Sequence, residues 1–388
     1  MKPPTRLLVL PAILMALILS GCTGSEPEPA PSQSSLMATD TLDYAMTSFM
    51  NEDAVAVLAE VRWPGGEWSK SYGVRDLDSK EPARPDDRVP VASVTKTMTA
   101  VSVLKLVDEG LIGLEDPVNG MLEAFQAGLK PPGPITLRQL LSHTSGMPSY
   151  GEALYKGIDD LVPVSNQRLS LHRVMELTST LPWEARMVGS FRYSDSNYAA
   201  LGLILEKLRG KPFAEVLRND VVEPLGLDKT TVDDPLVAAP DLVKGYVTIK
   251  GHREEAGVTQ EQLGSPSHGV VSSVPDVNDF LAGLFTGRLI SAGALAEMKR
   301  PVVGPYGLGL FEWSEDCTGA PRYFARGDFF DFQTVALSSA DGRYQATMTV
   351  ASPPAPTPFE DPDVERERAL WSDQMRSALL ETMDRLCQ

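Results

Sequence analysis

Ser93 and Lys96 have the residue types and the spacing that acyl-transfer chemistry needs. They open an apolar-periodic stretch that runs to Gly110, which predicts a helix beginning near Ser93. Residues three apart share one face of a helix, so the serine hydroxyl and the lysine amine can meet. A desolvated neutral lysine can take the proton of a serine, and free N–H groups at a helix start stabilise developing negative charge. The same spacing also fits an N-capping serine beside a solvated lysine.

The first 21 residues have the composition of an export signal. Lys2 and Arg6 precede an apolar run of 13 residues, 7–19, which is too short to span a bilayer comfortably. The run ends in Leu19-Ser20-Gly21-Cys22, which resembles the cleavage box of bacterial lipoproteins, in which the cysteine becomes the lipid-bearing first residue. We expect residues 1–21 to be a lipoprotein signal peptide and Cys22 to anchor an extracytoplasmic chain to the cell membrane. The alternative is an ordinary secretory signal with an incidental cysteine.

The composition changes after this signal. Gly, Ser, Glu and Pro dominate without an apolar pattern, so residues 22–38 are predicted to be a disordered tether and residues 39–388 a single domain. No second linker and no internal repeat interrupts that domain. The formal net charge of −17 becomes more negative when the two basic residues of the signal are removed. Such acidity argues against nucleic acid as a partner and favours solubility outside the cell.

Three cysteines have to be assigned. If Cys22 carries lipid, Cys317 and Cys387 remain as an even pair in an oxidising compartment, and we expect a disulfide between them. In the chain-entropy model a bridge across that separation contributes about 4 kcal/mol. The alternative is two separate buried thiols. Neither cysteine has a ligand-spaced partner and the four histidines are scattered, so we expect no metal site and no cofactor.

The hydrophobic pattern predicts an α+β protein. A helix is predicted around residues 42–50, and residues 54–63 and 67–74 flank Pro64-Gly65-Gly66 as a β-hairpin. Helical segments dominate to about residue 228, strand patterns return at 307–313, 332–338 and 344–351, and a terminal amphipathic helix follows. Strands at both ends and helices between them imply a sheet assembled from distant parts of the chain, with helices packed on it.

Four further stretches follow the Ser93 motif in a fixed order. They are residues 135–147 (ITLRQLLSHTSGM), 191–198 (FRYSDSNY), 223–227 (EPLGL), and 269–273 (GVVSS) with 306–310 (YGLGL). Together with the Ser93 motif they resemble the serine β-lactamase superfamily in its class C-like branch, which holds class C β-lactamases, secreted D-alanyl-D-alanine carboxypeptidases, D-aminopeptidases and related esterases. The resemblance implies a β-lactamase/transpeptidase-like α/β sandwich, in which helices flank an antiparallel sheet and an all-helical segment is inserted.

Within that branch the sequence is most similar to the secreted D-alanyl-D-alanine carboxypeptidases. The similarity rests on the 306–310 stretch, Cys317, a glycine-containing strand motif and the cysteine close to the C-terminus. It implies a substrate such as a small peptide or a β-lactam, with cell-wall stem peptides as the natural candidates.

The resemblance assigns roles to residues. Ser93 attacks a carbonyl and becomes acylated, and its N–H forms half of an oxyanion hole. Lys96 holds or shuttles the proton, which requires its pKa to be lowered by burial or by a neighbouring cation. Tyr193 relays the proton to the leaving amine, although a tyrosine there also fits plain packing. His143 is a structural residue of the family and not a base.

Two departures from the family pattern affect the predicted substrate contacts. Asp195 stands where the family usually has asparagine, and an ionised carboxylate accepts hydrogen bonds but cannot donate them. The third motif, usually His-x-Gly or Lys-x-Gly, falls on Ala325-Arg326-Gly327-Asp328, which keeps the glycine but begins with an apolar residue. We expect Asp195, Arg326, Gly327 and Asp328 to contact substrate, although neighbouring residues of a strand point to opposite faces. Asp331 also falls where glycine is common.

Three functions follow from these observations. The first is a membrane-tethered serine hydrolase that acylates Ser93, acting as a D-alanyl-D-alanine carboxypeptidase. The second is an esterase or amidase on the same machinery, because the fold does not fix the substrate. The third is a penicillin- or muropeptide-binding lipoprotein with little or no turnover, which Ala325 favours. In each case we expect a monomer.

The signal predicts where the mature chain begins. We expect it to start at a lipid-bearing Cys22 and to partition with membranes, because lipid chains of this kind hold a protein at a membrane surface without spanning it. Mass spectrometry of the mature N-terminus checks this. An unlipidated chain secreted freely into the medium would show that the predicted anchor is wrong.

Overall fold

The computed structural model describes residue 1 and residues 33–123, 128–233, 239–316 and 318–387. Its α-helices are α1 (Gln33–Asn51), α2 (Val94–Asp108), α3 (Leu137–Leu141), α4 (Gly151–Leu154), α5 (Leu161–Ser165), α6 (Leu171–Ser179), α7 (Asp195–Arg209), α8 (Phe213–Leu217), α9 (Glu223–Leu225), α10 (Val274–Phe285), α11 (Ala292–Lys299) and α12 (Asp363–Leu386). Its strands are β1 (Ala56–Trp63), β2 (Gly66–Gly73), β3 (Arg88–Pro90), β4 (Tyr246–Ile249), β5 (His252–Glu255), β6 (Val271–Ser273), β7 (Phe311–Glu315), β8 (Pro321–Asp328), β9 (Phe332–Ser339), β10 (Gln345–Ala351) and β11 (Ala355–Pro356). The predicted signal peptide, Cys22 and Cys317 lie outside the described residues.

The predicted N-terminal hairpin is confirmed. β1 pairs antiparallel with β2, and the register places Trp63 opposite Gly66. β1 is mostly buried, whereas β2 is exposed or half-buried because it forms an edge of the sheet. The apolar run of the first strand and the polar alternation of the second therefore reflect their positions in the sheet.

Strands from both ends of the chain build the central sheet. Its order is β2-β1-β10-β9-β8-β7, and each neighbouring pair is antiparallel. β1 pairs with β10, so the N-terminal hairpin is completed only by the last part of the chain. This arrangement confirms the predicted α+β fold.

Helices cover both faces of the sheet. On one face α1 and α12 pack side by side through buried residues that include Leu42, Met46, Met375 and Leu379. On the other face α2 lies against β8, and α10 against β9 and β10. β9 and β10 are buried at every position because they are covered on both sides. Each fully buried leucine or methionine contributes about 1.5–3 kcal/mol, so the predicted terminal helix holds the first face together.

The helical segment between α2 and β4 contains helices α3 to α9 within the described residues. Its longest member, α7, packs against α2 and α6, and so connects this segment to the helix that begins after Ser93. The predicted all-helical insert is present.

Two predicted boundaries are wrong. The tether was expected to reach residue 38, but α1 begins at Gln33 and already buries Ser35 and Ala38. That boundary was predicted from composition alone. Composition cannot show that the first turns of α1 pack against the rest of the domain. The strand expected over residues 307–313 begins only at Phe311. Gly309 has a φ of +85° close to Ala100, so the chain turns there instead of continuing as a strand.

No helix among the described residues is both long and apolar enough to cross a membrane.

Asp331 is a fully buried carboxyl in the connection between β8 and β9. One of its oxygens accepts a hydrogen bond from the backbone N–H of Gly257, and the other has no hydrogen-bond partner among the described residues. The carboxylate lies where a Cβ at Gly245 would stand, so the glycine leaves room for it. Burial raises the pKa of Asp331 from 3.8 to about 6, because desolvation outweighs the hydrogen bond to the charged form.

This raised pKa makes folding depend on pH. The folded pKa lies above the unfolded one, so the carboxyl's contribution to stability is complete below about pH 4 and is lost as the pH rises through 6, by on the order of 3 kcal/mol. Asp331→Asn should remove that part of the pH dependence. Urea unfolding at pH 4 and pH 7.5 measures it. Asp40→Asn, an exposed change on α1, should retain the wild-type dependence, and an unchanged dependence in Asp331→Asn would contradict the assignment.

Candidate active site

Ser93 lies at the N-terminal end of α2, in a backbone conformation that the preceding residue helps to impose. Ala92 has a φ of +45°, which strains an alanine, and Ser93 itself is αR with φ −65°. Strained residues of this kind persist where the surrounding structure holds them, and they concentrate at functional sites. The Val91 N–H, which donates to the carbonyl of Val270 over 3.1 Å, anchors this turn.

Threonines hold the buried face of α2 to its neighbours. The Val270 N–H donates to Thr95 Oγ1 over 3.1 Å, and Thr99 Oγ1 donates to the Pro266 carbonyl over 2.7 Å. Twelve residues of this helix are buried, so each of these polar groups needs a partner. They find it in residues 266–270, and these bonds fix that segment beside Ser93.

The Lys96 ammonium lies among three acceptors. Its Nζ is 2.9 Å from Ser93 Oγ, 3.0 Å from the Ser267 carbonyl oxygen and 2.7 Å from Asp195 Oδ1. Only 2% of the Lys96 side chain is exposed. The three contacts match the three N–H donors of a charged lysine. The predicted meeting of the serine hydroxyl and the lysine amine is confirmed in geometry.

The charge on this lysine differs from the expectation. Burial favours the neutral amine, but the carboxylate of Asp195 and the phenol of Tyr193 outweigh it, so the pKa of Lys96 is raised above 10.5. For Asp195, burial would raise the pKa, but Lys96 and then His268 outweigh it and lower the pKa to about 2. The expected lowering of the lysine pKa is therefore wrong, and the cause is the carboxylate that stands in place of an amide. The resting site holds an ion pair.

Tyr193 stands just before α7, at the rim of the site. The Lys96 Nζ lies 4.7 Å from the centroid of its ring, and 43% of the residue is exposed. The ring is 4.3 Å from that of His143. A phenol that is both exposed and beside the lysine can exchange a proton with an incoming ligand.

His143 orders the start of α7 as a neutral side chain. It is fully buried, and its Nδ1 accepts hydrogen bonds from the Ser194 N–H and from Asn197 Nδ2, both over 3.2 Å. Burial, reinforced by the charge of Lys96, lowers the pKa of His143 to about 3. The imidazole thus fixes the segment that carries Tyr193, in agreement with the structural role expected for it.

The backbone of β8 comes directly against the turn of Ser93. A Cβ on Gly327 would lie 2.0 Å from the Val91 carbonyl oxygen and 3.2 Å from the Ser93 nitrogen. Only glycine allows this approach. The serine N–H, the expected oxyanion donor, consequently lies beside the strand along which a substrate backbone could run. Ala325, two residues earlier on the same face, is buried in the core.

Arg326 and Asp328 lie on the opposite face of β8. Asp328 pairs with Arg368 of α12, and Arg326 Nη2 is 3.0 Å from Asp328 Oδ2. Phe324, on the same face, packs against the residues of α12. Since alternate residues of a strand share a face, these two side chains turn away from Ser93. Their predicted contact with substrate is not supported by this placement, because each is engaged in an ion pair behind the sheet.

Sequence reasoning missed a polar group that the structure places next to Lys96. Ser267 supplies the carbonyl described above, and its hydroxyl oxygen lies 2.7 Å from His268 Nδ1. The other ring nitrogen of His268 is 3.4 Å from Glu261 Oε2. Ser267 and His268 directly precede the 269–273 motif. A histidine next to a family motif was therefore the sequence signal that could have identified this part of the site. In the described part of the chain, no group of three or more His, Cys, Asp or Glu side chains is arranged to hold a metal ion.

A family model called Beta-lactamase matches residues 43–313, more than two thirds of the chain. The chain belongs to the beta-lactamase family. Among curated relatives of this beta-lactamase-family protein, Protein flp of Staphylococcus aureus is 32% identical over 167 residues, which cover 42% of this chain and 32% of that protein. Penicillin-binding protein 4* of Bacillus subtilis is 28% identical over 170 residues, covering 43% and 36% respectively. The match therefore spans only about a third of the length of these relatives.

A solved structure of the same fold covers far more of the chain. The D-stereospecific amidohydrolase from Streptomyces sp. superposes with a TM-score of 0.70 at 25% sequence identity, covering 81% of this chain and 94% of that one. The sheet and helices described above are thus those of the β-lactamase fold, and the expected family resemblance is confirmed.

The close approach of β8 gives a test of the site. Gly327→Ala should push the strand away from the Ser93 turn and lower the rate of acylation by about 10²-fold, the cost of displacing reacting groups by about 1 Å. The rate of labelling by a fluorophosphonate measures it. Gly293→Ala is the matched control and should label at the wild-type rate, because a Cβ on this helical glycine would make only an ordinary contact, 3.7 Å from Ser291 Oγ. Unchanged labelling in Gly327→Ala would show that the approach is not needed.

Proposed function

We propose that this protein is a monomeric extracytoplasmic serine hydrolase that works through an acyl-enzyme on Ser93. The observation that carries the proposal is the 2.9 Å contact between Ser93 Oγ and the buried Lys96 amine at the start of α2. Gly327 supports it, because its backbone borders the Ser93 N–H where a carbonyl oxygen would need a donor.

The chemistry follows from these positions. Ser93 Oγ forms a bond to the substrate carbonyl carbon as its proton passes into the Lys96–Tyr193 pair, and the Ser93 N–H stabilises the oxyanion. Tyr193 then delivers a proton to the leaving group as the bond from carbon to that group breaks. Water cleaves the resulting ester, and Ser93 regains its proton. Lys96 rests as an ammonium, so it first has to give one proton to solvent before its neutral amine can accept the one from serine.

The first candidate reaction is that of a D-alanyl-D-alanine carboxypeptidase on cell-wall stem peptides. Sequence similarity to the secreted carboxypeptidases supports it, as does the name of the penicillin-binding relative. Such a substrate ends in a carboxylate. On the face of β8 that borders Ser93, however, Ala325 and Gly327 provide no cation for that group.

That same observation favours a second candidate, an amidase or esterase whose substrate has no free carboxylate at the leaving end. The similarity to a D-stereospecific amidohydrolase supports this reading. A third candidate is a penicillin-binding lipoprotein with slow turnover. The ion pair of Lys96 with Asp195 supports it, because the pair resists loss of the proton.

The cellular setting is part of the proposal. A lipid anchor at Cys22 and a short tether would hold the domain at the outer surface of the cell membrane. The disulfide-bonded state of Cys387 supports its pairing with Cys317 in an oxidising compartment.

Acylation is tested with a fluorescent penicillin and with a fluorophosphonate. Ser93→Ala should abolish labelling, and Lys96→Ala should slow it by about 10²–10⁴-fold, the range for a positioned general base. Tyr193→Phe should slow it without lowering the thermal midpoint. Ser102→Ala, a buried serine of the same helix, is the control and should label normally. If the wild-type chain labels with neither probe, it is not a serine hydrolase.

Ala325→His separates the candidates, since it restores the usual family residue on β8. It should raise hydrolysis of D-alanyl-D-alanine peptides if the site is a carboxypeptidase with altered preference. Amides and esters without a carboxylate should be hydrolysed by the wild type if the second candidate is right. If the wild type never acylates and the variant does, the binding-protein candidate stands. A thermal midpoint for the variant controls for overpacking of this buried position.

A further inference from the structure

Two exposed aromatic residues lie in the segment that leads into α7, and the proposed chemistry uses only one of them. Phe191 is 40% exposed and Tyr193 is 43% exposed, although residues 196–198, which follow in the same motif, are fully buried. A phenylalanine ring that stays exposed forgoes the free energy of burial. Exposed apolar surface that adjoins a site is typical of surface that a ligand covers.

Buried aromatic neighbours hold the Phe191 ring in place. It packs edge-on against the ring of His143, with centroids 6.0 Å apart, and against that of Tyr306 at 5.5 Å. His143 and Tyr306 are both buried, so they form a fixed base beneath the exposed ring. T-shaped aromatic pairs of this kind are favourable, and a ring that is already ordered loses little entropy when a ligand covers it.

The same histidine places this ring close to the proposed proton donor. The Tyr193 ring lies 4.3 Å from that of His143, so Phe191 and Tyr193 both project toward the histidine side of their segment. Two residues span at most about 7 Å of backbone. A substituent on the atom that receives the Tyr193 proton therefore comes alongside Phe191 within about that distance.

The residue between the two rings carries a charge that is already paired. Arg192 Nη2 lies 3.1 Å and 3.4 Å from the two carboxylate oxygens of Glu152, and its Nη1 donates to the Gly146 carbonyl over 3.5 Å. On the inner face of β8, Ala325 and Gly327 carry no charge either. Within the described part of the chain, neither this segment nor that face of β8 offers a free cation to a ligand beside Phe191.

We propose that Phe191 is a specificity-determining residue whose exposed ring binds the leaving group of the substrate, and that this leaving group is apolar, uncharged and long enough to reach the ring. Benzyl esters and benzyl amides have this chemistry. The inference rests on the proposed hydrolase function, in which Tyr193 delivers a proton to the leaving group. It deepens the second candidate, because a leaving amino acid would bring an unpaired carboxylate against an apolar ring.

The test compares leaving groups on one acyl group. The methyl and benzyl esters of N-acetyl-D-alanine release alcohols of similar acidity, so the ratio of their kcat/KM values reports contacts of the leaving group. The wild type should prefer the benzyl ester by about tenfold, the effect of one aromatic contact and the apolar surface it covers. The 4-carboxybenzyl ester should lose that preference, and its faster hydrolysis would contradict the proposal.

Variants of Phe191 assign the preference to the ring. Phe191→Ala should bring the ratio of benzyl to methyl ester close to one, and Phe191→Tyr, which keeps a ring, should retain it. Phe359→Ala removes a similarly exposed phenylalanine between β11 and α12 and should keep the wild-type ratio. If Phe191→Ala fails to fold, Phe191→Leu should lower the ratio by a smaller factor. A variant that slows both esters equally shows that the ring is structural, and the proposal is then wrong.

Binding without turnover separates this inference from the hydrolase function. In Ser93→Ala, which cannot be acylated, the benzylamide of N-acetyl-D-alanine should bind about tenfold more tightly than the methylamide by calorimetry, and Phe191→Ala in that background should remove the difference. Equal affinities, or no binding of either amide, overturn the proposal. A wild type that hydrolyses both esters at equal rates also overturns it and leaves the hydrolase function intact. A chain that never acylates ends the hydrolase function, and the binding comparison still decides whether Phe191 holds an apolar group.

Discussion

The buried ammonium of Lys96 joins three parts of the chain that are distant in sequence. It contacts the serine at the start of its own helix, a carboxylate at the start of α7 and a carbonyl in the segment before β6. A charge with 2% exposure is stable only if all its donors are used, so each partner has to be in place at once. One side chain therefore constrains the positions of these elements. The threonines of α2 help by binding the segment 266–270, and the neutral His143 helps by binding the start of α7.

The sheet supplies the second constraint. The strand that borders Ser93 lies near one edge, and its register against β9 places Gly327 opposite Thr334. A slip of one residue would exchange the two faces of β8 and bring Arg326 or Asp328 toward the serine. The ion pair of Asp328 with Arg368 of α12 lies behind the sheet and opposes that slip. The packing of the terminal helix is thus coupled to the shape of the site on the other face.

Much of this arrangement could be predicted from the sequence. The contact between Ser93 and Lys96 follows from helical spacing, and the hairpin and the terminal helix follow from apolar periodicity. The charge of Lys96 could not be predicted from spacing, since it depends on how close a carboxylate from another helix comes. The start of α1 at Gln33 was missed because tertiary packing, and not composition, orders that turn. Glu261 carries no local pattern, so only the fold brings it to His268.

Asp195 connects these observations. An asparagine in its position would leave Lys96 without this anionic partner. With a carboxylate there, Asp195 and Lys96 form a stable ion pair in the resting state. The same carboxylate raises the pKa of Lys96, so the lysine releases its proton less readily. The carboxylate of residue 195 therefore joins α7 to α2 through an ion pair and also favours the protonated form of Lys96. The two departures from the family pattern therefore act on different groups. On the inner face of β8, Ala325 and Gly327 provide no cation, whereas Asp195 acts on the protonation of Lys96.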